Sequence, residues 1–283
     1  MFQHFLITRF NLRKSDWTTN KKNVAVLTEE WHKNRFQLFT DYCFPSVSAQ
    51  TNKNFEWLVF FDVTTPEIYQ DKIRILGSQL SNFKPIFADG MEQFLPSLKN
   101  YISEFDTEYI ITSGLDNDDC LSKDYIQSVQ NKFENQEFMA IDFIDGYTLQ
   151  ISPTYKLGKK LHLYNPFISL IEKNTNIVTV CNISHRLWKK ESRITHIKNK
   201  RVWTSVIHQE NKVNEFDGYG DVDWNDIKSN FLVSESASTA IEQNLMPYEQ
   251  WRFENLTNRV YVHYVRLSKT FKKKLGIYKL KRN

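Results

Sequence analysis

Two kinds of hydrophobic pattern alternate through the first 120 residues. Short, nearly unbroken runs of β-branched and aromatic residues read as buried strands: residues 3–10, Phe55-Glu56-Trp57-Leu58-Val59-Phe60-Phe61-Asp62, Phe83 to Ala88, and Tyr109 to Ser113. Continuous rather than alternating apolar character is what parallel strands show when both faces are covered. Between these runs the apolar residues move to helical spacing. Thr28 precedes Glu29 and Glu30, an N-terminal helix signature, and Trp31, Phe36, Leu38, Phe39, Tyr42 and Cys43 follow, with Pro45 marking a kink or a new first turn. Pro66 to Leu80 and Glu92 to Phe105 also read as helices. The β-α-β-α-β order predicts an α/β fold with a doubly wound, mostly parallel sheet flanked by helices.

The pattern loosens beyond Asp119. Ser122 to Glu134 is expected to be a helix capped by Ser122, and Phe138 to Ile144 a strand ending at the turn signal Asp145-Gly146. Tyr147 to Leu161 reads as a hairpin or long loop, Asn176 to Ile183 as a strand, residues 200–233 as irregular, and Ser236 to Gln250 and Glu254 to Leu275 as helices. The simplest division is a domain over 1–235 with a helical, basic C-terminal appendage over 236–283.

The most informative stretch is the acid-tipped strand Tyr109-Ile110-Ile111-Thr112-Ser113-Gly114-Leu115-Asp116-Asn117-Asp118-Asp119. A buried strand ending in acids puts negative charge at the carboxyl edge of the sheet, where open α/β sheets bind ligands. Close carboxylates repel one another, and a hard divalent cation carried by a phosphate offsets that repulsion. An EF-hand loop starting at Asp116 would need Gly and Glu where Leu121 and Gln127 stand, so that alternative fails. The pair of acids used by aspartyl-phosphate phosphotransferases normally lies near the chain start and is followed by a small hydroxyl or β-branched residue; here Cys120 follows, after about a hundred residues. An Asp-x-Asp clamp on a metal-bound nucleotide fits best.

Composition narrows this further. With 8 glycines in 283 residues, and Gly218-Tyr219-Gly220 lacking the third glycine of a dinucleotide fingerprint, phosphate charge must be met by metal and side chains. Cys43, Cys120 and Cys181 form no C-x-x-C pair, which suits reduced thiols in a cytosol and excludes a disulfide framework or zinc knuckle. No window reaches the roughly 18 apolar residues of a membrane span, and the start lacks a basic region leading into an apolar run. A soluble, cytoplasmic protein is expected. Net charge is +4, but from Tyr264 to Asn283 there are eight Lys or Arg and no acid. There Leu267, Phe271, Leu275 and Tyr278 fall at spacings of three and four, making a basic amphipathic helix that suits an anionic membrane surface on the inner face of the cell membrane, or packing on the domain with a lysine face outward. No nucleic-acid module accompanies the charge, so no nucleic-acid partner is expected.

The run from Cys43 through Pro45-Ser46, Gln50-Thr51 and Asn54-Phe55 to Asp62 resembles the helix–turn–strand that opens many GT-A, family-2-like glycosyltransferases, and Tyr109–Asp119 is similar to their strand and Asp-x-Asp motif. More narrowly, Leu115-Asp116-Asn117-Asp118-Asp119, Asn165 to Glu172 and Trp203 to Asn211 resemble the rhamnosyltransferase family of bacterial surface-sugar clusters, over roughly residues 3–215. That family often carries Arg before the Leu of the acidic motif; this chain has Gly114 there.

The resemblance implies a GT-A-like fold and a metal-dependent, inverting transfer of a sugar, with rhamnose as candidate, from a nucleotide-sugar donor to a glycan or lipid-linked glycan acceptor. It implies that Asp62 accepts from the base or ribose, that Thr8 and Arg9 wall the base, and that Asp116 holds the ribose or a metal-bound water. Asp118, helped by Asp116 and Asp119, is then the ligand of Mn²⁺ or Mg²⁺, and His208 supplies a further metal or diphosphate contact, although a His beside Val206 and Ile207 is also the pattern of a core residue. Arg201 and Lys200 are candidates to meet the diphosphate. Glu172, Asp145 and Asp142 are the candidate bases for the acceptor hydroxyl, and Asn165, Tyr219 and Trp224 are candidate acceptor contacts, aromatic faces stacking on sugar C–H surfaces. Two other classes remain open: a nucleotidyl- or phosphotransferase on a similar sheet, and a non-catalytic carbohydrate or membrane-surface binding protein whose acids hold structural Ca²⁺.

Overall fold

The computed structural model describes residues 1–16, 18–19, 25–209 and 215–279. Parts of two expected features lie outside them: Glu210 and Asn211 of the family-like segment, and the last four residues of the basic tail.

Four parallel strands form half of a nine-stranded sheet: β1 (Phe2–Arg9), β2 (Glu56–Asp62), β3 (Phe83–Ala88) and β4 (Tyr109–Gly114), in the order β3-β2-β1-β4. The side-chain period of two sorts their residues between two cores. Trp57, Val59 and Phe61 of β2 pack with α1 (Glu29–Leu38), α2 (Phe44–Ser48) and α3 (Glu67–Gln79). Leu58 and Phe60 pack on the other side with Phe94, Leu98 and Ile102 of α4 (Phe94–Ser103). All five of these β2 residues are fully buried, each contributing about 1.5–3 kcal/mol. Helices therefore cover both faces, as the unbroken apolar runs predicted. Thr28 caps α1, its hydroxyl accepting from the Trp31 N–H at 3.2 Å, and Pro45 sits in the first turn of α2, after one π-helical stretch (Phe39–Cys43).

The other half of the sheet is mixed. β8 (Ser169–Lys173) runs antiparallel to β4, and the order continues β8-β6-β9-β5, with β6 (Phe138–Gln150), β9 (Ile194–Ile207) and β5 (Cys120–Leu121), while β7 (Lys156–Leu161) forms a hairpin with β6. The α/β sheet flanked by helices that the sequence predicts is the fold observed, with its parallel strands gathered in the first half. Several local expectations change. Ser122 does not cap a helix: Cys120 and Leu121 pair with Thr204 and Trp203, and α5 (Tyr125–Gln130) starts only after Asp124. The strand at Phe138 does not stop at Asp145-Gly146 but passes through it with shifts in register against β9. Gly146 there meets the Trp203 ring so closely that a Cβ would lie 2.4 Å from it. Residues 176–183 form no strand, only a 3₁₀ turn at Val180–Asn182, and residues 200–207, expected to be irregular, complete β9.

The C-terminal segment holds α6 (Trp224–Ile227), α7 (Glu235–Asn244) and the 27-residue α8 (Tyr248–Lys274). Among the described residues no helix is long and apolar enough to cross a membrane.

Candidate active site

The carboxyl ends of β1, β4 and β9 converge on the acidic loop. Leu115 N–H still bonds to Ile7 O (3.0 Å), and the chain then turns, with Asp119 N–H donating to Asp116 O (3.2 Å). Asn117 ties the turn to the end of β1, its Nδ2 donating to Phe10 O at 2.8 Å. Asp119 ties it to β9, its Oδ1 accepting the Val206 N–H at 2.8 Å. Asp118 lies between these anchors, and its Oδ2 accepts both Arg35 Nη1 and His208 Nε2, each at 2.8 Å. Arg35 also donates to Asn117 Oδ1 (3.1 Å) and stands over the Trp31 ring, 5.2 Å from its centroid. Asp116 is exposed to solvent beside its buried neighbours Asn117, Asp118 and Asp119.

These surroundings separate the three acids. Burial alone would raise the Asp118 pKa, but the Arg35 guanidinium and the His208 hydrogen bond outweigh it and hold Asp118 at about 2. Burial, followed by the charges of Asp118 and Asp116, pushes Asp119 well above the usual carboxylate range. Asp116 is raised by burial and by Asp118, against an opposing pull from Arg9, His185 and Arg35. One positive side chain that sequence reading did not single out, Arg35, thus faces the acids, while the nearby His185 is held neutral because burial lowers its pKa. Arg35 leaves a signal in the sequence: it is a charge on the apolar stripe of α1, with Trp31 and Phe36.

Of the expected donor residues, Arg9 and Asp116 are both exposed at the ends of β1 and β4, with the Arg9 guanidinium over the Phe94 ring and near enough to Asp116 to lower its pKa. Thr8 does not face it, because its Oγ1 accepts from Trp57 Nε1 inside the core (3.0 Å). Asp62 is buried under five donors: Arg13 N–H (3.0 Å) and Nε (2.8 Å), Thr64 N–H (3.0 Å) and Oγ1 (2.7 Å), and Gly90 N–H (3.2 Å). It organises three loops instead of presenting a free carboxylate. Arg201 lies back along β9, roughly 17 Å from Val206 at strand rise, with Asp145 at 3.8 Å, and Lys200 pairs with Asp124 at 3.0 Å.

None of the three expected bases reaches the rim. Glu172 pairs in register with Ile110, at the opposite end of β4, and its two oxygens accept the Val178 and Thr179 N–H groups at 2.8 Å. Asp142 is fully buried and accepts from Tyr164 N–H (2.8 Å), Asn165 Nδ2 (2.7 Å) and His196 Nδ1 (2.9 Å). Asp145 accepts from Asn199 N–H at 2.8 Å. The acceptor candidates are placed elsewhere too. Asn165 is a buried clamp between Asp142, Phe143 O and Phe167 N–H. Trp224 is buried in the core with Nε1 donating to Ser238 Oγ at 3.0 Å. Tyr219 is half-buried beside His263 of α8.

Mn²⁺ and Mg²⁺ are commonly held by one or two carboxylates together with substrate phosphates rather than by a protein cage. Two donors, Asp118 and His208, converge, while Asp119 is bound to β9 and Arg35 shares the Asp118 oxygen. Among the described residues no three His, Cys, Asp or Glu side chains are grouped to hold an ion on their own.

The mixed α/β sheet thus carries an acid–arginine–histidine cluster at its carboxyl edge, where open α/β sheets bind ligands. The chain belongs to the family described as "Putative rhamnosyl transferase", whose profile matches residues 3–218. No curated protein matches the chain. Among solved structures it is similar to residues 1–349 of TarS from S. aureus (12% identity, TM-score 0.43), covering 72% of this chain and 60% of that one, so it spans less than two thirds of that relative. TarS has also been solved in complex with UDP and with UDP-GlcNAc. Two others are a "putative nucleotide-diphospho-sugar transferase" from Desulfovibrio desulfuricans G20 (7% identity, TM-score 0.43, covering 87% of this chain and 99% of that one) and HddC from Yersinia pseudotuberculosis (9%, 0.36, 73% and 90%).

Proposed function

We propose that this protein transfers a sugar, with rhamnose the first candidate from the family, from a nucleoside-diphosphate donor to a glycan hydroxyl. The observation that carries this reading is Asp118, held ionised between Arg35 and His208 beside the solvent-open Asp116 and Arg9. Departure of a nucleoside diphosphate develops negative charge, and fixed positive groups at a partly dry site stabilise it best. Arg35 and Arg9 supply that charge, while Asp116 accepts hydroxyls of the donor. Asp118 and His208 are the residues that would hold Mn²⁺ or Mg²⁺, which when bound would neutralise the leaving diphosphate. The acceptor proton is assigned to none of Glu172, Asp142 and Asp145, whose oxygens are engaged away from the rim.

The test is chromatographic identification of the nucleotide released from dTDP-, UDP- and GDP-sugars. Release of a nucleoside diphosphate from one donor is expected, with a loss of about 100-fold or more in Asp118→Asn. Excess EDTA is expected to stop the release, and unchanged turnover would remove the cation from the scheme. Release of pyrophosphate would favour nucleotidyl transfer and overturn the proposal.

A further inference from the structure

α8 is attached to the protein by the wrong face for an ordinary amphipathic helix. Its inward row is largely polar: Asn255 accepts the Gly220 N–H (2.6 Å), Asn258 donates to Gly218 O (3.0 Å), Lys269 to Leu163 O (3.1 Å) and Lys273 to Glu191 O (2.9 Å), with only Trp251 and Val262 as buried apolar residues. Its outward row is apolar. Phe253, Leu256, Val260, Tyr264, Leu267 and Phe271 follow at spacings of three and four and are 59–76% exposed. They form one stripe about 27 Å long at helical rise. Folded proteins seldom leave so long a continuous apolar strip facing water.

We propose that this stripe is a docking surface for an anionic lipid bilayer, with α8 lying in the plane of the headgroups. Charge identifies the occupant. From Arg259 to Asn283 the chain carries nine Lys or Arg and no Asp or Glu, and Lys272 and Lys274 are exposed beside the stripe. A second copy of α8 would bring two such segments together and repel; a surface of acidic headgroups attracts them while the Phe, Leu and Tyr side chains enter the acyl boundary. Lys269 and Lys273 anchor the helix to the protein, so the outer face can insert without the helix leaving its seat. The surface is independent of the chemistry at the acid rim.

The test is co-sedimentation of the full chain with vesicles of phosphatidylcholine alone or with about 30% phosphatidylglycerol. Binding is expected only to the anionic vesicles, and is expected to weaken in about 1 M salt, where the screening length falls to about 3 Å. The double substitution Leu267→Glu/Phe271→Glu alters two solvent-facing side chains, so the melting temperature and the hydrolysis of donor in vesicle-free solution are expected to stay unchanged while partitioning falls about tenfold or more. Equal binding to neutral vesicles, binding unaffected by the double substitution, or a dimer that the substitution dissociates without any lipid binding would each overturn the proposal.

Discussion

Replacing Arg35 with Met keeps most of the side-chain volume on α1 but removes the guanidinium that donates to Asp118 and Asn117. Both partners of the ion pair are about nine-tenths buried in their side chains. Breaking a pair at that depth by removing one member costs about 3–5 kcal/mol, because the other charge stays buried. His208 still donates to Asp118, which places the loss near the lower end, about 3 kcal/mol. For a chain of this size that is a fall of roughly 6–12 °C in melting temperature. The pH dependence follows from the depressed pKa. Asp118 moves from an ordinary 3.8 to about 2, so its ionised form contributes stability above 3.8 that is lost as pH falls towards 2. The deficit of Arg35→Met is therefore expected to be full from about pH 5 to 8 and to shrink below about pH 4. Urea unfolding at several pH values measures it, and a double-mutant cycle with Asp118→Asn separates the pair from simple packing. A deficit below about 1 kcal/mol, or one that persists unchanged in the Asp118→Asn background, would refute the assignment of Arg35 as the counter-charge of Asp118.

Asp116→Ala changes a solvent-open residue, so stability is expected to stay within about 0.5 kcal/mol by urea unfolding while donor turnover is lost. Glu172→Ala leaves the Val178 and Thr179 N–H groups without acceptors at about 1–3 kcal/mol each. Thermal melting is expected to drop sharply, yet kcat measured below the transition should hold; a collapse of kcat in the folded variant would return Glu172 to the chemistry. Gly146→Ala drives a methyl group into Trp203, whose ring stacks on Phe167 with centroids 4.8 Å apart. A cost of at least about 1–3 kcal/mol is expected in calorimetry, with a changed tryptophan emission.

The half of the fold nearest the N-terminus was legible because its signals are redundant. β3 occupies Phe83–Ala88 as read, and β2 and β4 begin within a residue of their apolar runs. Past Asp119 the signals conflict. Asp145-Gly146 has the composition of a turn, but the glycine is there so that a strand can pass beneath the Trp203 ring, a contact between residues far apart in the chain. The first half of β9, Ile194 to Lys200, is polar and half-exposed, so no period distinguishes it. The site divides in the same way. Asp118 and His208 both stand in family-like segments, but their hydrogen bond to each other is visible only in the structure. Arg35 lies 83 residues before the acid it meets, and only helix packing brings the two together. The engaged state of the three candidate bases was not legible for a physical reason: a buried carboxylate in a strand or loop reads the same whether it awaits a proton or already holds N–H groups.

The knot at Asp62 constrains how this protein can vary. One carboxylate fastens the start of the loop after β1, the turn after β2 and the turn after β3. An inserted residue in any of these connections would pull its N–H off the shared anchor and slacken the other two. Length changes that retune substrate choice are thus barred from this corner of the rim, leaving side-chain replacement as the route by which it can diversify.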